Sequence, residues 1–133
     1  MTRALRIAIA DDEPDVLDYF ARILPRLGHQ VVAAAKDGRE LVELCQQTQP
    51  DLIITDVRMP DMDGTEALRL ICQERPVAFI LISAYAQPAT CPDGLGHCGW
   101  AYLTKPVNRQ DLAAAIDRAA GRAQPPATDN SGR

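Results

Sequence analysis

Short apolar runs alternate along the chain with longer segments in which apolar residues recur every three or four positions. The short runs predict buried strands, and the periodic segments predict amphipathic helices. Strands are predicted at Leu5–Ala10, Gln30–Ala35, Asp51–Asp56, Val77–Ile82 and Trp100–Leu103. Helices are predicted at 14–27, 38–47, 64–74 and 108–120. Because the strands are apolar without alternation, the pattern predicts a doubly wound α/β domain whose five-stranded parallel sheet is covered on both faces.

The predicted helix ends carry local signals of their own. Pro14 suits a first helical position, and Gly28 suits the residue that follows a helix. Pro25 lacks a backbone N–H, so we expect a kink or a tightened last turn near it. Asp37 and Asn108 are of the residue types that cap helix N-termini, and each precedes a predicted helix.

The segment between the fourth and fifth strands departs from the strand–helix alternation. Residues 84–99 contain two prolines and three glycines, which remove hydrogen-bond donors and destabilise a helix at nearly every turn. We therefore expect a loop with at most one short helical turn in place of a fourth helix. Residues 1–121 are expected to form one domain, and 122–133 a flexible polar tail or the beginning of a linker.

Composition argues against several classes of protein, among them nucleic-acid-binding, membrane-spanning and secreted proteins. The chain has 14 basic and 18 acidic residues, a net charge of −4, which disfavours nonspecific nucleic-acid binding. No apolar run approaches the roughly 18 residues that span a bilayer, and no secretion signal is evident. The four cysteines are therefore expected to be free thiols in a reducing cytosol. Cys45 and Cys72 are expected to pack as small apolar residues.

Polar residues follow four of the predicted strands. Asp11 and Asp12 follow the first strand, Asp56 ends the third, Ser83 follows the fourth, and Lys105 lies just beyond the fifth. In a doubly wound sheet, ligands bind beyond the carboxyl ends of the strands. Three carboxylates brought together repel one another unless a cation lies among them, and hard oxygen ligands favour Mg²⁺. The sequence thus predicts a site for phosphoryl chemistry.

These residues, with the motifs around them, resemble the receiver domain of two-component signalling. The resemblance rests on Asp11-Asp12, on Asp56 followed by the run VRMPDMDG, on Ser83-Ala84 and on Lys105-Pro106. It extends from about Leu5 to Ala120. It implies a flavodoxin-like fold with strand order 2-1-3-4-5, and a Mg²⁺-dependent phosphoryl transfer from a histidine kinase or histidine phosphotransfer protein. It also implies a downstream protein partner or output domain, and leaves room for a phosphorylation-dependent homodimer.

The resemblance assigns roles to the acidic residues. Asp56 corresponds to the phosphoacceptor, whose carboxylate attacks a phosphohistidine. Asp12 corresponds to a direct Mg²⁺ ligand and Asp11 to one that acts mainly through water. The backbone carbonyl of Arg58 corresponds to the last protein ligand of the metal, together with Asp56 itself.

Other roles concern the switch that follows phosphorylation. Ser83 corresponds to the hydroxyl that bonds the phosphoryl group, and Lys105 to the cation that pairs with it. Tyr102 corresponds to the aromatic residue that changes rotamer on activation. Pro106 is similar to a proline that follows a cis peptide bond in this family, and Gly64 to a residue that lets the loop turn into the third helix. Ser83-Ala84-Tyr85 is loosely similar to a motif of general-stress receivers, to which we attach no prediction.

Two other functions share part of this residue pattern. A haloacid-dehalogenase-type phosphatase also uses an aspartyl phosphate, a hydroxyl and a lysine. That class carries an Asp-x-Asp-x-Thr run after its first strand, whereas Asp11–Asp15 reads DDEPD, with no room for a cap domain. A pseudo-receiver that only binds a partner is disfavoured because no member of the catalytic set is missing. We therefore expect a signalling module that catalyses only its own phosphorylation and dephosphorylation.

Simpler interpretations exist for individual residues. Asp11, Asp12 and Glu13 could cap the first helix, since acids are favoured at helix N-termini. Tyr102 could be a half-buried strand residue with its hydroxyl in water. Asp61 and Asp63 are expected to be solvated loop acids. A metal site at Cys91, His97 and Cys98 is disfavoured, because their spacing fits no standard zinc pattern.

Overall fold

The structure, a computed structural model, describes residues 4–85, 91–92 and 94–122. The strands are β1 (Arg6–Ala10), β2 (Gln30–Ala35), β3 (Leu52–Asp56), β4 (Ala78–Ser83) and β5 (Trp100–Thr104). The helices are α1 (Pro14–Arg26), α2 (Gly38–Thr48), α3 (Gly64–Glu74) and α4 (Arg109–Arg122). All strand pairs are parallel, in the order β2-β1-β3-β4-β5. The predicted fold class and strand order are confirmed, and element ends differ from prediction by one or two residues.

Successive side chains of the central strands enter two separate cores, as the twofold period of a strand requires. Ile7 and Ile54 lie in the core covered by α1 and α4, which includes Phe20 and Ile116. Ala8, Ile53 and Phe79 lie in the core covered by α2 and α3, with Leu41 and Leu68. Because both faces are buried, β3 and β4 are apolar at consecutive positions, which explains why their sequences do not alternate.

The last turn of α1 is closed by short-range backbone hydrogen bonds. Gly28 has a φ of 93°, its N–H bonds the carbonyl of Pro25 at 3.0 Å, and the N–H of His29 bonds the carbonyl of Leu24 at 3.0 Å. This pair of bonds is a Schellman motif, which satisfies carbonyls that would otherwise lack donors. The N–H of Leu27 reaches both Ile23 and Leu24, so the expected tightening near Pro25 is confirmed.

Three aspartate or asparagine side chains cap helices. The carboxylate of Asp37 accepts from the Glu40 N–H at 2.8 Å, and the amide of Asn108 accepts from the Asp111 N–H at 2.7 Å, as predicted. Asp63 also caps a helix, α3, by accepting from the Glu66 N–H at 2.9 Å. Asp63 is exposed and is not one of the clustered acids, as expected of a solvated loop acid, and it has this capping role in addition. Its side chain satisfies one of the free N–H groups at the start of the helix.

The segment between β4 and β5 is described only in part. Residues 84–85, 91–92 and 94–99 are bends, turns or irregular segments, and none of them is helical. Residues 86–90 and 93 lie outside the described part, so the expected degeneracy of a fourth helix stays a prediction there. The predicted tail falls on residues outside the description too, except that α4 continues through residue 122.

Candidate functional site

The site lies where the order of the strands reverses. β1 pairs with β2 on one side and β3 on the other, so the crossovers from β1 and β3 leave in opposite directions. Asp56 is the last residue of β3 and Asp11 follows the last residue of β1 directly. Crevices of this kind are the usual ligand sites of open parallel sheets. The fold thus brings together at one edge the acids that the sequence had singled out.

Lys105 binds three acidic side chains in this crevice. Its Nζ lies 3.0 Å from Asp11 Oδ2, 3.2 Å from Asp56 Oδ2 and 2.8 Å from Glu13 Oε1. Burial acts to lower the pKa of Lys105, but its contacts with Glu13, Asp11 and Asp56 outweigh burial and raise it. The ammonium is therefore held charged, at the centre of a negative pocket. Its backbone N–H donates to the Ser83 carbonyl at 2.8 Å, which fixes β5 beside β4 at this point.

Asp11 is fully buried, and its two oxygens have different surroundings. Oδ1 accepts from the Glu13 N–H at 2.9 Å. Oδ2 accepts no hydrogen bond from the described residues, and its charged neighbour is Lys105. Burial raises the pKa of Asp11, opposed by the Glu13 N–H and by Lys105 and reinforced by the charge of Asp56. The N-cap of α1 is Glu13, whose side chain forms no capping bond, so these acids do not serve as helix caps.

The carboxylates are arranged as a cation site requires. Oxygens of Asp11, Asp12 and Asp56 all lie within 4.8 Å of one another, with Asp12 exposed and the other two buried. Such oxygens, one of them lacking a hydrogen-bond partner, match the ligand preference of Mg²⁺. Within the described part of the chain no other group of three acidic, histidine or cysteine side chains is this close. The ligand atoms of Cys91, His97 and Cys98 are not brought together in this way.

The loop from β3 to α3 is held against the end of the central strand. The Arg58 N–H points to Asp56 Oδ1 at 3.4 Å, and the Gly64 N–H donates to the Val57 carbonyl at 2.8 Å. A Cβ atom at Gly64 would collide with the carbonyl oxygen of Asp56 and lie 2.9 Å from Thr55 Oγ1. Position 64 therefore needs glycine mainly because α3 approaches the end of β3 closely. The turn into α3 is the lesser reason.

Ser83 and Tyr102 lie on the neighbouring strands. Ser83 is buried, and its Oγ accepts from the Tyr85 N–H at 3.1 Å. Tyr102 is half-buried and packs edge-on against Trp100, with ring centroids 5.7 Å apart. Burial raises the pKa of the Tyr102 hydroxyl. The Lys105–Pro106 peptide bond is cis, as the resemblance implied.

The roles of two residues near the site were not predicted from the sequence. Glu13 was considered only as a helix cap, yet its carboxylate is the nearest of the three to Lys105. Gly38 begins α2 and leaves no space for a Cβ, because the carbonyl of Met62 approaches it and accepts its N–H at 3.1 Å. Glu13 could have been found from its place beside Asp11 and Asp12, whereas the contact of Gly38 joins two distant loops and has no local signal.

Comparison with known proteins shows which family has this arrangement of residues. The sequence model described as response regulator receiver domain matches residues 7–117. The chain belongs to the response regulator receiver domains. This receiver is 36% identical over 117 residues to the transcriptional regulatory protein PdtaR of Mycobacterium tuberculosis, which is 88% of the chain and 57% of that protein. The chain thus spans about half the length of the curated relatives it matches.

Solved structures similar to this receiver include two that differ in their biological setting. The anti-anti-sigma factor PhyR from Bartonella quintana has a TM-score of 0.76 at 28% identity, over 90% of this chain and 48% of that one. The CheX–CheY–BeF3–Mg²⁺ complex from Borrelia burgdorferi has a TM-score of 0.74 at 25% identity, over 84% and 86% of the two chains. The match to receivers leaves no support for the phosphatase alternative. No helix of the described residues is long and apolar enough to cross a membrane.

Proposed function

We propose that this receiver accepts a phosphoryl group on Asp56 from a phosphohistidine of a histidine kinase or phosphotransfer protein. The observation that carries the proposal is the position of Asp56: it ends the central strand, with Lys105 at 3.2 Å and the carboxylates of Asp11 and Asp12 beside it. In the step, a carboxylate oxygen of Asp56 forms a bond to phosphorus. The P–N bond breaks, and the imidazole leaves with its electron pair.

The acids are proposed to hold Mg²⁺ during this transfer. Asp12 would bind it directly, Asp11 mainly through water, and Asp56 and the backbone carbonyl of Arg58 would complete the protein ligands. When bound, Mg²⁺ neutralises charge on the transferring phosphoryl group. Lys105 would then exchange a carboxylate partner for a phosphoryl oxygen, since its three present partners are carboxylates of the same pocket.

Ser83 and Tyr102 are proposed to transmit the phosphorylated state. Ser83 lies in register with Thr104, next to Lys105, so its hydroxyl can turn toward a phosphoryl group on Asp56. Tyr102, on the adjacent strand, would change rotamer and alter a surface that a downstream partner, an output domain or a second copy recognises. The cytosolic location, the domain boundary at 121 and the absence of any other enzymatic activity stay predictions.

Labelling with acetyl phosphate in Mg²⁺ tests the proposal. The wild-type chain should incorporate phosphate, and Asp56→Asn should incorporate none while unfolding at a similar urea concentration. Asp61→Asn is the matched control, because Asp61 is an exposed acid of the same loop with a φ of 67°, which asparagine also adopts. Labelling of Asp56→Asn at the wild-type rate would overturn the assignment, and a pseudo-receiver would show no labelling in any variant.

A further inference from the structure

Two buried sulfur atoms meet in the core beneath α3. Cys72 of α3 and Cys98, two residues before β5, are 6% and 5% exposed, and their Sγ atoms lie 3.5 Å apart. They are free thiols from distant parts of the chain, and both belong to the core covered by α2 and α3. Most buried cysteines pack singly as small apolar residues, so a pair at this distance suggests chemistry between the two sulfurs.

The thiols form a directed chain of weak hydrogen bonds. Cys98 donates its S–H to Cys72 Sγ, and Cys72 donates its own to the Val77 carbonyl at 3.8 Å. Burial raises the pKa of Cys72 to about 12, with Val77 opposing and Cys98 reinforcing the rise. Because the thiolate is the reactive form of cysteine, Cys72 is a poor first nucleophile. We therefore assign the first reaction to Cys98, which lies outside any helix, whereas Cys72 is held in α3.

We propose that Cys72 and Cys98 are a redox-active dithiol, which a peroxide converts into an intramolecular disulfide. Cys98 Sγ attacks one peroxide oxygen, the O–O bond breaks, and water leaves as Cys98 becomes a sulfenic acid. Cys72 Sγ then attacks that sulfur, the S–O bond breaks, and a second water leaves with the Cys72 proton. Two thiols have lost two electrons in total, and one molecule of hydrogen peroxide has been reduced to two of water.

The structure leaves room for the small movement that bond formation needs. The sulfurs must close from 3.5 Å to about 2.05 Å. Cys98 lies in a turn whose bonds are local, from the Leu95 N–H to Pro92 and from the Cys98 N–H to Leu95. Gly94 has a φ of 84°, and Gly96 faces open space, so this turn is not packed on every side. The Cys98 side of the pair can therefore move toward α3.

The disulfide would join α3 to the entrance of β5. Trp100 begins that strand, two residues after Cys98, and its ring packs against Tyr102. The bond would thus restrain the strand that carries Tyr102 without touching Asp56 or Lys105. Oxidation would therefore affect the surface around Tyr102 without requiring phosphorylation of Asp56.

Peptide mapping tests the proposal on the full chain. The reduced protein is treated with hydrogen peroxide, unfolded, alkylated and cleaved after acidic residues. Cleavage after Glu74 and Asp93 places Cys72, Cys91 and Cys98 on separate peptides, whereas trypsin would leave them on one. We expect loss of two of the four free thiols and a linked pair of the Cys72 and Cys98 peptides. The link should form faster in the native chain than in urea.

Variants separate this pair from the other two thiols. Cys45→Ala is the matched control, since Cys45 is a buried thiol of the same core, and it should still form the link. Cys72→Ala should form no link and should leave Cys98 as a sulfenic acid that dimedone captures; Cys72→Ser serves if the alanine variant does not fold. A Cys91–Cys98 link as the main native product, retention of all four thiols, or equal rates in native and unfolded chains would overturn the proposal.

Discussion

Lys105 and Asp11 face each other across the carboxyl edge of the sheet, with Nζ 3.0 Å from Oδ2 of a fully buried carboxylate. The same ammonium contacts Glu13 and Asp56. One ammonium thus lies in contact with three carboxylates. We therefore expect the stability of the domain and the binding of metal to be linked through this side chain.

Removal of the Lys105 charge should destabilise the domain strongly without Mg²⁺ and only weakly with Mg²⁺. Lys105→Ala leaves Asp11 buried without its cation, which should cost about 3 kcal/mol of unfolding free energy without Mg²⁺. Added Mg²⁺ should recover most of that loss, because it replaces the missing charge. Urea unfolding with and without Mg²⁺ checks this, and Lys36→Ala, the other lysine of the chain, is the control. A loss that Mg²⁺ does not reduce would contradict the linkage.

The same variant should bind Mg²⁺ yet fail to respond to a phosphoryl mimic. Lys105 is proposed to pair with the phosphoryl group and is not a metal ligand, so its removal should not weaken Mg²⁺ binding. Beryllofluoride with Mg²⁺ should shift the NMR signals of Ser83 and Tyr102 in the wild type and leave them nearly unchanged in Lys105→Ala. A full wild-type response in the variant would refute the coupling.

The two acids after β1 should differ in their effect on Mg²⁺ affinity. Asp11→Ala should weaken binding by about 10- to 100-fold, the range typical of groups that act on a metal indirectly. Asp12→Ala should weaken it more, as the proposed direct ligand. Titration calorimetry measures both, with Asp61→Asn as the control. Equal losses, or a larger loss in Asp11→Ala, would show that the assigned roles are wrong.

Gly64, at the start of α3, and Gly96, in the turn before β5, should differ sharply in their tolerance of a methyl group. Gly64→Ala places Cβ against the Asp56 carbonyl, so we expect a loss of about 1–3 kcal/mol in unfolding free energy, and slower phosphorylation. Gly96→Ala meets open space at a φ that is not left-handed, and should be neutral or stabilising by up to about 1 kcal/mol. Denaturant unfolding checks both. A tolerant Gly64 would mean that α3 does not press on the end of β3.

His29 should make stability depend on pH below neutrality. It is buried and its Nδ1 accepts the Leu5 N–H at 3.1 Å, so burial lowers its pKa from 6.5, opposed by the charge of Asp117. The unfolded chain then binds the proton more readily than the folded one. The contribution of neutral His29 is complete above pH 6.5 and is lost as the pH falls from there toward the lowered pKa.

His29→Asn isolates this contribution. The asparagine oxygen can accept the Leu5 N–H and does not titrate. Unfolding free energies measured from pH 8 to pH 5 should fall more steeply for the wild type than for the variant, and the difference should lie below pH 6.5. Parallel curves would show that His29 takes up its proton equally in the folded and unfolded states, and so is not desolvated in the fold.

The sequence by itself was sufficient for the fold class and for grouping the acids and the lysine of the candidate site. Apolar runs such as 78–82 identify strands because both faces of a parallel sheet are buried. Asp11, Asp56 and Lys105 could be grouped in advance, since the carboxyl ends of parallel strands share one edge. The helix caps at Asp37 and Asn108 were likewise predictable, because a cap acts on an N–H three residues away.

Contacts between distant segments were decided only by the tertiary structure. Glu13 and Lys105 are 92 residues apart, and their 2.8 Å contact depends on how α1 begins beside the end of β5. The collision that reserves position 64 for glycine, and the 3.5 Å approach of Cys72 to Cys98, depend on how closely α3 packs on the sheet. Local propensity carries no information about such distances. They are set when helices and strands pack to the density of a protein interior, where differences of an ångström decide which atoms meet.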